Sequence, residues 1–345
     1  MAVFINGIGS ISPAPGFAEL LAGRAWVPTG NRLLSTEPDY SAYLDPKASR
    51  RMSRVVKMGI ATAKQALIDA KLSTVDGVIA GTGWGCLEDT ISFLQKMVAN
   101  GEDMLSPTAF IHSTHNTIAA QIAYYLQCRG YNSTYVHRNI SFESTLIDAT
   151  LLLAEQPAAT YLVGGIDELT DTSFHLLSRL GTFKDANEPA STEPYAAGTS
   201  GTWAGEGATF FAVSGQSGPN SYAQLREVRT VSFSTPAEAA AKARQMLIAH
   251  GIDQADVLLT GNNGDTANDA NCQEFTSAFG QYGQAQNFKH WCGEYPTASA
   301  FALGWAATLL AQPTATPNVP TRPQTVLIYN RFQQAHQSLM LLTAC

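Results

Sequence analysis

The stretch YVHRNISFESTLIDATLLLAEQPAATYLVGGIDE, starting at Tyr135, constrains the fold more than any other part of the chain. Tyr135 and Val136 close an extended run, and a polar corner of His137, Arg138, Asn139 and Ser141 follows. Leu146, Ile147, Leu151, Leu152 and Leu153 then recur at helical spacing. TYLVGG is short, apolar and ends on two glycines, as a buried strand does. The order is therefore strand, sharp turn, helix, strand.

Strands and helices alternate elsewhere too, which argues for α/β layers. Residues 1–8 read as a strand. Residues 54–70 read as an amphipathic helix with Val55, Ile60, Ala63 and Leu67 on one side. Residues 77–81 form a short buried strand, and WGCLEDTISFLQKMV opens the next helix. A further helix is apolar at Ile118, Ile122 and Leu126. Residues 183–201, rich in Pro, Ala, Ser, Thr and Gly, read as a surface loop, and AGEGATFFAVS as a strand. The second part repeats the plan: strand 225–234, helix 236–250, strand 256–259 before GNNGDTANDAN, a buried Ala-rich helix at 298–310, and strands 325–329 and 338–343 around NRFQQAHQ. Residues 312–324 read as a loop. Two parts of like order suggest a duplication, with residues 1–220 and 221–345 as its halves within one compact unit.

Composition narrows the function. The chain of 345 residues is 45% hydrophobic and 14% charged, with a net charge of −7, which suits a well-buried α/β protein. No basic cluster favours nucleic acid or a membrane surface, and no apolar run is long enough to span a bilayer. The start MAVFINGIGSISP reads as a first strand rather than a signal peptide. The five cysteines are scattered and form no CxxC or metal spacing, so a cytoplasmic location is expected. His112 and His115 lack Cys or carboxylate partners, so no metal is expected. GTGWG lacks the full GxGxxG pattern and reads as a strand–helix turn, so no cofactor is expected either.

The landmarks INGIGSISP, AGTGWG, SPTAF, RGYN, LVGGIDE, AGEGATFF, TGNNGDTAND and YNRF stand in an order that resembles the β-ketoacyl synthases of the thiolase-fold condensing enzymes, over nearly the whole chain. The resemblance implies a thiolase-like fold of two duplicated halves in a five-layer αβαβα arrangement. It implies a Cys-His-His site: a cysteine at a helix N-terminus, where aligned peptide dipoles favour the thiolate, takes an acyl group from an acyl carrier protein. Two histidines then assist malonyl decarboxylation, and a lysine supports them. Mapped onto this chain, those positions are degenerate. Counting from Gly130 and back from Gly164-Gly165 places Asn139 where the cysteine should be. The first histidine position is Gly261, the second is Glu294, and Lys289 matches the lysine. After Phe332 the family's Gly-Phe-Gly-Gly loop is replaced by Gln333-Gln334-Ala335-His336.

No catalytic residue is therefore expected. Ser141 offers a hydroxyl, and a helix N-cap is favoured over a nucleophile activated by His137. For Glu294 an ion pair with Lys289 is favoured over a catalytic base. Cys292 reads as a small buried residue. Ser141, Phe142 and Phe332 are candidates to line an acyl tunnel. Asn116, Ser133, Thr134, Tyr135 and His137 are candidates for a dimer interface, because in the resembling family the strand before the nucleophile corner faces the partner subunit. The resemblance is to the family's chain-length factors, inert subunits that pair with an active ketosynthase and shape its acyl tunnel. An acyl carrier protein would be met through that partner. A weaker likeness is to the shorter ketosynthase-like proteins of aryl-polyene pathways. The alternatives are a noncanonical β-ketoacyl-ACP synthase or acyltransferase active in its own right, and a homodimeric acyl-binding module.

Overall fold

A computed structural model describes residues 2–50, 52–185, 195, 198–312, 322–332 and 336–345. The strands are β1 (Val3–Ile11), β2 (Gly77–Gly81), β3 (Tyr131–Tyr135), β4 (Thr160–Asp167), β5 (Gly207–Ser214), β6 (Ala223–Ser232), β7 (Ala255–Thr260), β8 (Tyr282–Asn287), β9 (Thr325–Phe332) and β10 (His336–Thr343). They form one sheet in the order β3-β2-β4-β5-β1-β6-β10-β9-β7-β8. Read inward from each end, both sets of five have the same order. In each, the outer three strands are parallel and the inner pairings antiparallel. Among the described residues the two sets pair where Val3, Phe4 and Ile5 meet Leu225, Gln224 and Ala223.

Helices fill the remaining layers. Helix Arg54–Ala70 and helix Thr117–Tyr125 pack on the outer face of the first set, around Val55, Ile60, Ile118, Ile122 and Phe210. Helix Pro236–Ala249 and helix Thr266–Phe279 cover the second, around Met246, Phe275 and Leu341. Between the two sets lie helix Ser141–Glu155 and helix Ser299–Ala311, whose Phe142, Leu146, Phe301 and Trp305 join the largest core. This is the five-layer thiolase-like arrangement. Every residue from Ser299 to Leu310 is buried, so the Ala-rich helix has no polar face, and its small residues suit close approach to sheets on both sides. Burying each of Phe301, Leu303, Leu309 and Leu310 contributes about 1.5–3 kcal/mol before chain entropy is counted. Close packing also fixes Gly81, because a Cβ there would lie 2.7 Å from the backbone of Ser141.

Several expectations need correction. Helix Thr266–Phe279, to which the sequence reading assigned no element, begins inside the GNNGDTANDAN run. Asp265 starts it by accepting hydrogen bonds from the N–H groups of Ala267 and Asn268. β8, YGQAQN, has no apolar alternation and is recruited by pairing with β7. The segment expected at the surface begins with buried Phe183 and Lys184. The Lys184 ammonium binds the Gly264 carbonyl and sits over the Trp203 ring. Residues 186–194, 196–197 and 313–321, within the two expected loops, lie outside the described residues. NRF is not part of a connection: β9 runs to Phe332, which pairs with His336, while residues 333–335 lie outside the described residues. Among the described residues no helix is long and apolar enough to cross a membrane.

Candidate functional site

The corner after β3 is built by hydrogen bonds to short polar side chains. Arg138 takes a left-handed φ of 53°, which turns the chain into the 3-10 turn Arg138–Ile140. Ser141 is the first helical residue, so it is not the N-cap that a serine at this corner suggests. Its Oγ accepts the His137 backbone N–H at 2.9 Å and lies 2.6 Å and 2.9 Å from the carbonyls of Arg138 and Thr82. A fully buried hydroxyl with carbonyl acceptors on two sides ties the corner to the neighbouring strand. The His137 imidazole contacts Ser144 Oγ at 3.0 Å, so it does not activate Ser141.

Behind this corner sits Asp167, at the end of β4 and wholly buried. One carboxylate oxygen accepts from Thr82 Oγ1 and from the N–H groups of Gly83 and Trp84, and the other from the N–H and Oγ1 of Thr297. Burial pushes its pKa up to about 6, against the pull of these five hydrogen bonds. The GTGWG run is thereby a tight turn wrapped around a carboxylate. Nothing in the spacing of LVGGIDE marks Asp167 for this role; its only sequence signal is an acid at the end of an apolar strand.

The end of β9 gathers the degenerate positions. The Asn139 amide Nδ2 donates to the Phe332 carbonyl at 3.3 Å. Gly261 N–H donates to Tyr329 O at 2.8 Å. Lys289 Nζ donates to Arg331 O at 2.8 Å and to both oxygens of Glu294 at 2.8 and 2.6 Å. Asn263 Nδ2 donates to Glu294 as well, at 2.6 Å. Lys289 is 0% exposed and Glu294 6%. Burial pushes the Glu294 carboxyl up, while Lys289 and Asn263 pull it back. This is the expected ion pair, with the ammonium wholly buried and the carboxylate almost so. Sequence reasoning missed Asn263, which an amide two residues after the mapped Gly261 does not advertise.

Space at these positions is tight. A Cβ on Gly261 would meet Asn330 Oδ1 at 2.8 Å and the Arg331 nitrogen at 3.1 Å, so this backbone leaves little room for a side chain. His290, beside Lys289, packs against Trp291 and contacts Tyr195 Oη through Nδ1; burial pushes its pKa down to about 4. Cys292 is fully buried, its thiol beside the Gly293 carbonyl, and burial raises its pKa well above the ordinary range. Neither residue offers a thiolate or an imidazolium at the corner.

The tunnel and interface candidates separate in space. Phe332 lines a cavity of about 290 Å³ with Glu294, Arg331, Asn263, Asn268 and Thr202. Ser141 and Phe142 are not among its lining residues; Phe142 is buried against Phe211 in the central core. Ser133, Thr134 and Tyr135 lie on β3, the last strand of the sheet, whose outer edge has no partner strand among the described residues. His137 and Asn116 are exposed. Among the described residues no group of three His, Cys, Asp or Glu side chains is placed to hold a metal.

Solved structures of similar fold match the chain end to end. A β-ketoacyl synthase from Burkholderia phymatum STM815 matches with TM-score 0.80 at 17% identity, covering 100% of this chain and 99% of its own. The ishigamide ketosynthase/chain length factor matches with TM-score 0.80 at 18% identity and the same coverage. A ketosynthase in a type II polyketide synthase complex with its acyl-carrier protein matches with TM-score 0.79 at 15% identity, again covering 100% and 99%. No curated protein sequence matches significantly. The family model "Beta-ketoacyl synthase, N-terminal domain" matches residues 29–217, more than half of the chain. The corner, the repeated sheet and this match lead to one conclusion: the chain belongs to the β-ketoacyl synthase family.

Proposed function

We propose that this chain is a non-catalytic, chain-length-factor-like subunit that pairs with an active β-ketoacyl-ACP synthase in the cytoplasm. In polyketide- or fatty-acid-type elongation it shapes the acyl tunnel of that partner, and it meets the acyl carrier protein only through it. The observation that carries the reading is the Lys289–Glu294–Asn263 cluster. A carboxylate stands where the resemblance places a histidine, with a lysine committed to it. An anion there repels the developing enolate oxyanion that a condensing site has to stabilise. At Asn139 an amide, which forms no thioester, donates to a backbone carbonyl.

The surface supports a partner. β3 is an open edge without proline or lysine, which invites strand pairing. Beside it Tyr124 is 74% exposed and Leu151 63%. An arm made of helix Leu87–Ala99 and helix Pro107–His112 contains no buried residue from position 87 to 116. It nonetheless carries Phe93, Leu94, Met97, Val98, Phe110 and Ile111. An apolar arm and an open edge on one subunit are what a large obligate interface covers, of the order of 2,000 Å² or more.

Co-purification with a synthase bearing an intact Cys-His-His site tests the reading. A stable complex is expected, with Thr134→Arg on β3 breaking association and abolishing the partner's condensation although no catalytic residue is touched. A synthase fully active alone with unchanged product length defeats the proposal. So does a stable acyl adduct on Ser141 or Cys292 of the isolated chain, seen by mass spectrometry.

A further inference from the structure

One buried acid plays no part in the degenerate site. Glu143 stands in the first turn of helix Ser141–Glu155 and is 0% exposed. Ser338 Oγ on β10 donates to its Oε1 at 2.7 Å. Its other oxygen, Oε2, is sealed from solvent and has no hydrogen-bond partner among the described residues. The same holds for Ser299 Oγ, at the start of helix Ser299–Ala311, and Ser299 is also 0% exposed. Two wholly buried oxygens without partners on neighbouring elements require a reason. Glu143 takes part in no ion pair among the described residues.

The surrounding charge decides what the carboxyl carries. Helix Ser299–Ala311 and β2 hold no titratable side chain. On β6, Glu227 and Arg229 pair in register with Leu341 and Leu339, which face the outer core, so they lie on the far side of the sheet. Arg226 joins them there through His250. Arg331 on β9 pairs with Gln337, on that same far side. His336 shares the Ser338 side of β10 but is held by Ser232 Oγ. Arg138 and Tyr131 are exposed, Tyr135 is half-buried, and Asp167 on β4 is an acid enclosed by its own donors. The cation that bears on Glu143 is Lys289, whose ammonium already binds both oxygens of Glu294 and the Arg331 carbonyl. Burial pushes the Glu143 carboxyl up, while Ser338, Ser299, its own backbone N–H and Lys289 pull the other way. A place in the first helical turn also favours an anion, but weakly beside the cost of burying an ion with no counterion. We propose that Glu143 is a proton latch: the folded chain keeps it as a neutral carboxylic acid whose O–H donates to Ser299 Oγ while Oε1 accepts from Ser338. One proton, taken from solvent on folding, then gives both sealed oxygens a partner. It joins the corner helix to helix Ser299–Ala311 and to β10 of the second set of strands. The latch does not rest on the chain-length-factor reading, and no catalytic residue is involved.

Urea unfolding of the full chain and of Glu143→Gln between pH 5.5 and 7 tests the latch. The glutamine amide imitates the neutral acid, with a donor on one side and an acceptor on the other, and does not titrate. A group protonated in the folded chain and ionised in the unfolded one contributes stability that is lost as pH rises. The ratio of the wild-type unfolding constant to that of Glu143→Gln is therefore expected to rise about tenfold per pH unit over this range. Asp167, Glu168 and His336 are present in both proteins, so the ratio isolates Glu143. A ratio that is flat, or that falls as pH rises, means a buried carboxylate and overturns the proposal. Infrared spectra of the folded wild type and of Ser338→Ala at pH 7 give a second reading that leaves Glu143 in place. A neutral-carboxyl C=O band is expected to move to higher frequency once Ser338 no longer donates to it. If no such band moves, the latch is overturned even where Glu143→Gln fails to fold.

Discussion

Replacing Lys289 by methionine keeps the length of the side chain and removes its charge. Among the described residues Glu294 then keeps the Asn263 amide as its side-chain donor, in a site where it is 6% exposed. The fold has two ways out. It can hold an unpaired buried carboxylate, which costs about 3–5 kcal/mol. Alternatively it can protonate Glu294, which costs about 1.4 kcal/mol for each pH unit above the unfolded glutamate pKa of about 4.3, or about 4 kcal/mol at pH 7. The two routes agree, and because burial already raises the Glu294 pKa in the wild type, a loss of at most about 4 kcal/mol is expected at pH 7. With an unfolding entropy near 2.1 cal/mol/K per residue over 345 residues, that lowers the melting temperature by at most about 5–6 °C. The pH dependence carries the sign. In Lys289→Met the folded-state pKa of Glu294 stands above its unfolded value, so the folded state binds the extra proton. The deficit is smallest below pH 4.3 and grows as pH rises towards the folded pKa, so at most about 1 kcal/mol is expected at pH 5. Lys289→Met with Glu294→Leu removes both charges and is expected to return to within about 1 kcal/mol of the wild type. Urea unfolding of the three proteins at pH 5 and pH 7 decides the matter. A loss below about 1 kcal/mol at pH 7, or one that grows on acidification, refutes the buried-pair account.

Asp167→Asn keeps the shape but turns an amide NH2 towards the donors of Thr297 or of the Thr82–Trp84 turn; a loss of about 1–3 kcal/mol in denaturant unfolding is expected. Gly261→His forces a Cβ to within 2.8 Å of Asn330 Oδ1, and thermal unfolding should show a loss of about 1–3 kcal/mol with no gain of activity. Asn139→Cys alone should give no measurable turnover of acyl and malonyl carrier proteins, because one missing oxyanion donor typically costs about a hundredfold and both histidines are absent. Turnover by this variant without a partner would count against the proposed inactivity.

Where packing dictates local sequence, the fold was legible. Helix Arg54–Ala70 and strand Gly77–Gly81 are found where periodicity places them, because Val55, Ile60, Ala63 and Leu67 have to face one sheet. β8 was not legible, since its pairing comes from β7 and not from its own residues. Helix Thr266–Phe279 was missed because its first turn is Asn- and Asp-rich and held by the cap at Asp265. At the site, the pairing of Lys289 with Glu294 was legible only through the family resemblance, whose placement of the lysine and the second histidine sets the two side by side. The roles of Asn263, Asp167 and Thr82 depend on contacts across 31 and 85 positions, which no local pattern carries. Ser141 was misread because a serine at a helix start suits a cap, whereas here the carbonyls of Thr82 and Arg138 compete for its hydroxyl.

The position of β1 has a consequence for synthesis on the ribosome. Its two neighbours are β5 and β6, so this strand has no sheet partner until residues 207–214 have been translated. At roughly 5–20 residues per second, that wait is of the order of ten seconds to most of a minute. Over that time Val3 and Ile5, wholly or almost wholly buried in the end, have no sheet to join. The centre closes later still, because helix Ser299–Ala311 and strands β9 and β10 complete the innermost layer. A nascent chain of this design therefore keeps its future interior exposed from β1 until residues 299–343 have been made, and it is in that window that chaperone binding competes with aggregation.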